Sequence, residues 1–202
     1  MRKAILHLKN SDPVLAGLIE RIGPYRIQYR EPEFETLVRS IVSQQISGKA
    51  AVTVMNRLLA LVPKRKLTPR ALLNLTPEQL RSVGLSGQKA SYIRDLAEHT
   101  KTKFIDFATV GNLTDEDVIQ HLTQVKGIGV WTAHMFLIFA LRRNDVLPCG
   151  DLGVRAAIKK AYKLEELPNA KQMEDLALAW RPYCSVASWY LWRSLDPVPV
   201  EY

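Results

Sequence analysis

Two stretches of the chain carry residue types whose spacing could do chemistry. The first, Val125-Lys-Gly-Ile-Gly-Val-Trp-Thr-Ala133, reads as a tight turn that opens onto a helix over 130–141. Gly127 and Gly129 tolerate φ > 0, so their N–H groups can turn outward. The helix that follows adds its positive dipole end at the same place, and together these features make a site for a phosphate. The second, Pro148-Cys-Gly-Asp151, is a turn that delivers one carboxylate to the start of another helix. A clamp for a nucleic-acid backbone followed by a solitary acid points to chemistry on a nucleotide.

Charge permits such a partner without proving it. Residues 1–101 hold 17 Lys+Arg against 8 Asp+Glu, a net of +9; residues 102–202 hold 11 against 12, a net of −1, which together give the total of +8. A one-sided positive field favours a polyanion, although a basic face is also an ordinary way to keep a protein solvated. Other classes are disfavoured. The longest apolar run, 130–141, is too short to span a bilayer and contains His134. No secretory signal is visible at the N-terminus. The two cysteines, Cys149 and Cys184, give neither a disulfide framework nor a four-thiolate cluster. The chain therefore reads as a soluble, intracellular protein.

The elements that must position these residues are helices. Asp12-Pro13, Thr68-Pro69 and Thr76-Pro77 each set a capping side chain before a proline, and Thr114 precedes an acidic first turn. Apolar residues recur at three and four, as in Phe34, Leu37, Val38, Ile41 and Val118, Leu122, Val125. Alternation is almost absent, apart from a weak strand candidate at Ala4–Leu8. This pattern predicts an all-α fold of ten to twelve helices. It also predicts one lobe over 33–141, holding the hairpin at 123–134, and a second built from 1–32 and 142–202. The cleft between the lobes is expected to hold Asp151.

With those motifs in hand, the chain resembles the helix-hairpin-helix–Gly/Pro/Asp superfamily of DNA glycosylases over 14–195. Ile41-Val-Ser-Gln-Gln-Ile-Ser47 resembles the family's minor-groove probing loop, and Gly84-Leu-Ser-Gly-Gln-Lys-Ala90 its mid-lobe helical turn. Ala179-Trp-Arg-Pro-Tyr-Cys-Ser-Val-Ala-Ser-Trp189 resembles the C-terminal segment of the alkylpurine branch, the 3-methyladenine DNA glycosylase II group. Members that also cleave the DNA backbone carry a lysine where this chain has Trp131, whose ring cannot form an imine. The resemblance thus implies a monofunctional glycosylase of base excision repair, acting by base flipping on double-stranded DNA with alkylated bases. It implies a two-lobed helical fold without the additional N-terminal β-domain of some relatives.

The resemblance also implies roles for particular residues. Asp151 becomes the catalytic carboxylate, stabilising the oxocarbenium-like sugar that forms as the N-glycosidic bond breaks; the competing reading is an ordinary N-cap worth about 1 kcal/mol. One acid suffices for N3- or N7-alkylated purines, which are cationic and depart neutral. Trp131 and Tyr183 would line the base pocket, with Met135 one turn on from Trp131 and Gln44 at its mouth. Either Gln45 or Ile46 would fill the space left by the flipped nucleotide. Lys126, Gly127, Gly129 and Thr132 would hold the DNA backbone. The backbone carbonyls of Thr123, Val125 and Ile128 would bind a monovalent cation, with no iron–sulfur cluster and no zinc. Trp180 and Trp189 read as core, His134 as a core histidine, Cys149 as a small turn residue, and Trp192 is left open. A monomer is expected, in the nucleoid of a prokaryote or the nucleus of a eukaryote. Two alternatives stand beside this reading: a glycosylase/lyase for oxidised bases, and a non-catalytic helix-hairpin-helix anchor, which needs the glycines but not Asp151.

Overall fold

The structure, a computed structural model, describes residues 1–195. Among them are twelve α-helices and no strand. In chain order these are α1 (Arg2–Ser11), α2 (Pro13–Ile22), α3 (Phe34–Ser43), α4 (Gly48–Leu61), α5 (Pro69–Leu73) and α6 (Pro77–Ser82). There follow α7 (Gly87–Lys101), α8 (Asp115–Thr123), α9 (Val130–Phe139), α10 (Leu152–Ala161), α11 (Ala170–Ala177) and α12 (Cys184–Leu195). No helix among the described residues is long and apolar enough to cross a membrane.

Helix starts follow the capping residues. Thr68 accepts the N–H of Ala71, Thr114 that of Asp117, and Thr76 forms a reciprocal capping box with Gln79. Each satisfies a donor that the first turn would otherwise leave without a partner. The weak alternation at Ala4–Leu8 is not a strand. Those residues lie in α1, where Ala4 and Leu8, four apart, form the buried stripe. A five-residue run with apolar ends satisfies both periods, and helical packing decides it.

The chain divides into two compact units: residues 30–136, and residues 1–29 with 137–202. In the first, α7 is the central strut, packing against α3, α5 and α6. Its buried residues Ala90, Ile93, Leu96 and Ala97 form the facing stripe. In the second, α12 packs on α1, α2 and α10. Every residue of α12 from Cys184 to Trp192 is buried, which identifies it as that unit's core helix.

Asp12 ties the second unit together. One carboxylate oxygen accepts the N–H groups of Val14 (2.8 Å) and Leu15 (3.1 Å) and so caps α2. The other accepts the hydroxyl of Tyr162 (2.5 Å) and the indole N–H of Trp180 (2.8 Å). Asp12 and Trp180 are both buried, and Trp180 is fully so. Burial and this carboxylate push the Tyr162 phenol above its usual range. Asp12→Ala leaves four donors without their acceptor, two of them in fully buried bonds, and we expect it to cost about 3 kcal/mol of stability. Thermal melting checks this; a loss below about 1 kcal/mol would mean that the network contributes no more than an exposed cap.

Candidate functional site

In the unit of residues 30–136, the hairpin joins α8 to α9. Ile128 donates its N–H to the carbonyl of Val125 at 3.0 Å, which closes the turn. Gly127 stands at φ 79°. A Cβ there would fall 2.0 Å from the Tyr92 ring, so the position excludes any side chain twice over, by conformation and by space. Gly129 differs from expectation: its φ is not positive, and a Cβ would meet nothing within 4 Å. Its bare backbone leaves the hairpin open for close approach by a ligand. Among the described residues, the N–H groups of Gly127, Gly129 and Val130 have no acceptor. With the positive end of α9 behind them, they can receive an anion.

Lys126 is arranged differently from a plain phosphate grip. Its backbone N–H donates to Asp95 (2.9 Å), and its exposed ammonium lies 3.7 Å from the same carboxylate. Asp95 thus claims the first amide of the turn. Thr132, in the first turn of α9, is buried. The carbonyls expected to hold a cation, those of Thr123, Val125 and Ile128, belong to this turn. Val125 already accepts one hydrogen bond, and each carbonyl oxygen has a second lone pair for a cation.

The probing loop follows α3 in the same unit. Gln44 donates from Nε2 to the carbonyl of Gly127 at 2.9 Å. Gln44 therefore joins loop to hairpin. Gln45 is exposed and stands at φ 56°, a left-handed backbone at a non-glycine residue. Ile46 is 40% exposed beside it. Trp131, in the first turn of α9, is 39% exposed, an unusual state for so large an apolar ring. Met135, one turn on, is buried. His134 is half-buried, and burial lowers its pKa against the opposing pull of Asp115, as for a neutral core histidine.

The unit containing the chain's C-terminal helices holds Asp151. The turn is closed by the Asp151 N–H on the Pro148 carbonyl at 2.9 Å. Asp151 caps α10, with Oδ1 accepting the Val154 N–H at 2.7 Å. The same oxygen accepts the indole N–H of Trp192 at 2.8 Å. The acid is only 4% exposed. Phe139 stacks on the Trp192 indole, with centroids 5.8 Å apart. A Cβ at Gly153 would come within 3.1 Å of Asp151 Oδ1 and 3.2 Å of the indole, so glycine there lets ring and acid meet.

Trp192 is the functional residue the sequence left open. Asp151 caps α10 and Trp192 belongs to α12, and nothing local in the sequence fixes a contact between the two elements. Tyr183 lies immediately before α12. Its ring packs edge-on against His7 of α1, with centroids 5.4 Å apart. Cys149 is a partly buried turn residue whose thiol pKa is raised by burial and by Glu174, which disfavours the reactive thiolate.

The profile of the HhH-GPD superfamily base excision DNA repair proteins matches residues 38–182. DNA-3-methyladenine glycosylase 1 of Schizosaccharomyces pombe is 32% identical over 200 residues, covering 96% of this chain and 87% of that protein. The solved S. pombe 3-methyladenine DNA glycosylase in complex with abasic DNA superposes with a TM-score of 0.83 at 33% identity, over 95% of this chain and 96% of that one. The DNA-3-methyladenine glycosidase of Bacillus halodurans superposes with a TM-score of 0.87 at 36% identity, over 96% of this chain and 89% of that one. Matched along most of its length in sequence and in fold, the chain belongs to the HhH-GPD superfamily of base excision DNA repair proteins.

Proposed function

We propose that this protein is a monofunctional DNA glycosylase that binds double-stranded DNA, everts an alkylated purine and hydrolyses its N-glycosidic bond, leaving an abasic site. The observation that carries the reading is the seat of Asp151. A buried carboxylate at the N-terminus of α10 is oriented by the Trp192 indole, in a chain aligned nearly end to end with proteins named as 3-methyladenine glycosylases.

The chemistry follows from charge. As the bond between C1′ and the purine nitrogen lengthens, its electron pair leaves with the base and positive charge builds on the sugar. A fixed carboxylate beside C1′ stabilises that charge without reorganising. Water then adds its oxygen to C1′ and gives up a proton to the acid or to solvent. An N3- or N7-alkylated purine starts cationic and departs neutral, so no second acid has to protonate it. Trp131 supplies an aromatic face for that cation, an interaction worth about 2 kcal/mol when desolvated.

The hairpin amides of Gly127, Gly129 and Val130 serve as the phosphate clamp, and a monovalent cation on the carbonyls of Thr123, Val125 and Ile128 would stiffen the turn. No step of the reaction depends on that ion. Gln45 or Ile46 fills the space the everted nucleotide leaves. We expect a monomer acting wherever the genome is kept.

Asp151→Asn keeps the cap but loses the charge. Single-turnover release of 3-methyladenine or 7-methylguanine from duplex DNA should fall by about 100-fold or more, with DNA affinity within a few-fold of wild type. Unchanged excision would remove Asp151 from the chemistry; a wild-type protein that releases no base would leave the non-catalytic anchor. Trp192→Phe keeps an aromatic ring but removes the donor and part of the buried ring volume, and excision should slow by about tenfold. Trp131→Ala should reduce release of cationic bases more than that of a neutral adduct such as ethenoadenine. An equal loss on both kinds of base would show that the ring is not read through its π-face.

A further inference from the structure

The motif at Gly84–Ala90 has so far been given no task. It sets the N-terminus of α7, where Ser86 caps the helix by accepting the Lys89 N–H at 3.2 Å. Three residues spaced by three along α7 each touch one of the two exposed loops. Lys89 donates from Nζ to the carbonyls of Val42 (2.7 Å) and Gln44 (2.5 Å). Tyr92, its hydroxyl held by Gln88 at 2.6 Å, fills the space over Gly127. Asp95 takes the Lys126 N–H.

The loop they support is poorly held by its own backbone. The N–H groups of Gln44 and Ile46 reach the carbonyls of Ile41 and Ser43 only at 3.4 Å. Gln45 sits in a left-handed conformation that costs a non-glycine residue about 1 kcal/mol. Such a loop stays in one shape only if its surroundings hold it. The Lys89 ammonium does so at the negative end of α3, across 45 residues of sequence. Burial lowers the lysine's pKa, as expected when an ammonium gives up water for carbonyls.

We propose that Lys89 is a positioning residue for base eversion: through the Val42 and Gln44 carbonyls it presets the 44–46 loop in the shape that enters the DNA stack. This deepens the glycosylase reading and rests on it. Preorganisation matters most where the loop must displace a paired base, and least where no pair has to open. Lys89 should therefore affect eversion and leave bond breaking at the sugar almost untouched.

The test uses the full chain with Lys89→Met, which keeps the apolar stem, and Lys89→Arg, whose fork can reach both carbonyls with the adjoining cavity of about 220 Å³ to accommodate it. For Lys89→Met, single-turnover excision of 7-methylguanine from a fully paired duplex should fall by about tenfold to a hundredfold. From a one-nucleotide bulge the fall should be under about threefold, and Lys89→Arg should recover most of the loss on paired DNA. In parallel, 2-aminopurine placed beside an abasic-site analogue reports loop insertion without any chemistry; its fluorescence rise on binding should be largely lost in Lys89→Met. Equal losses on paired and bulged substrates, or unchanged fluorescence, overturn the proposal, even if Lys89→Met melts at a lower temperature. A wild-type protein that excises neither substrate overturns the glycosylase reading instead, and the fluorescence measurement still decides the role of Lys89.

Discussion

Burying a carboxylate is costly unless hydrogen bonds replace its water, and the candidate site is organised around meeting that requirement for Asp151. Two donors converge on Oδ1, the Val154 amide from the first turn of α10 and the Trp192 indole from α12. Neither would reach the acid unaided. The amide is placed by the helix that Asp151 itself caps, and the indole by the absence of a Cβ at Gly153. Phe139 stacks on the ring, so the indole is held both by a stack and by a hydrogen bond. Asp151 is therefore held at one oxygen by donors from two different helices, which suits the electrostatic role proposed for it, since such a group must not reorganise.

Residues 30–136 solve the opposite problem, holding an exposed surface still. The hairpin and the 44–46 loop leave even their large apolar residues, Ile46, Val130 and Trp131, exposed, so burial does not fix them. They are fixed instead by side chains that reach them from elsewhere in that unit. Gln44 bonds the Gly127 carbonyl, Tyr92 packs where a Gly127 side chain would be, and Asp95 takes the Lys126 amide. Three of the four struts, with Lys89, come from α7, the longest helix of that unit and the one its neighbours pack against. Rigidity made inside the unit is thus passed outward to loops that stay exposed.

Local chemistry is legible in sequence wherever cause and effect lie within one turn. Thr68, Thr76, Thr114 and Asp151 all cap the helices that their neighbours announce. The glycine turn also stands where it is read, although Gly127 and Gly129 serve different purposes, one for φ and space and the other for access. What stays hidden is long-range pairing. Nothing in the spacing of Trp192 reveals a bond to a residue 41 positions earlier, and nothing in Ala179–Trp189 shows that the Tyr183 ring turns toward His7. Gln44 was legible as important but not as a strut, because its acceptor lies 83 residues away. Ala4–Leu8 failed for a different reason: so short a pattern fits either period until packing chooses.

The treatment of Lys126 bears on what kind of affinity this surface provides. A lysine free to swing onto a phosphate adds mainly salt-sensitive attraction. Here the exposed ammonium is drawn toward Asp95, and the groups left pointing outward are backbone amides at the start of a helix. Amides carry no net charge and release no counterion of their own, so their contribution depends on geometry and tolerates salt. The excess of basic residues in 1–101 can supply the diffuse, salt-dependent attraction. In the proposed reading, broad charge brings the duplex in while the hairpin fixes its register. That division suits an enzyme that must survey much undamaged DNA weakly and commit only where a base will leave the stack.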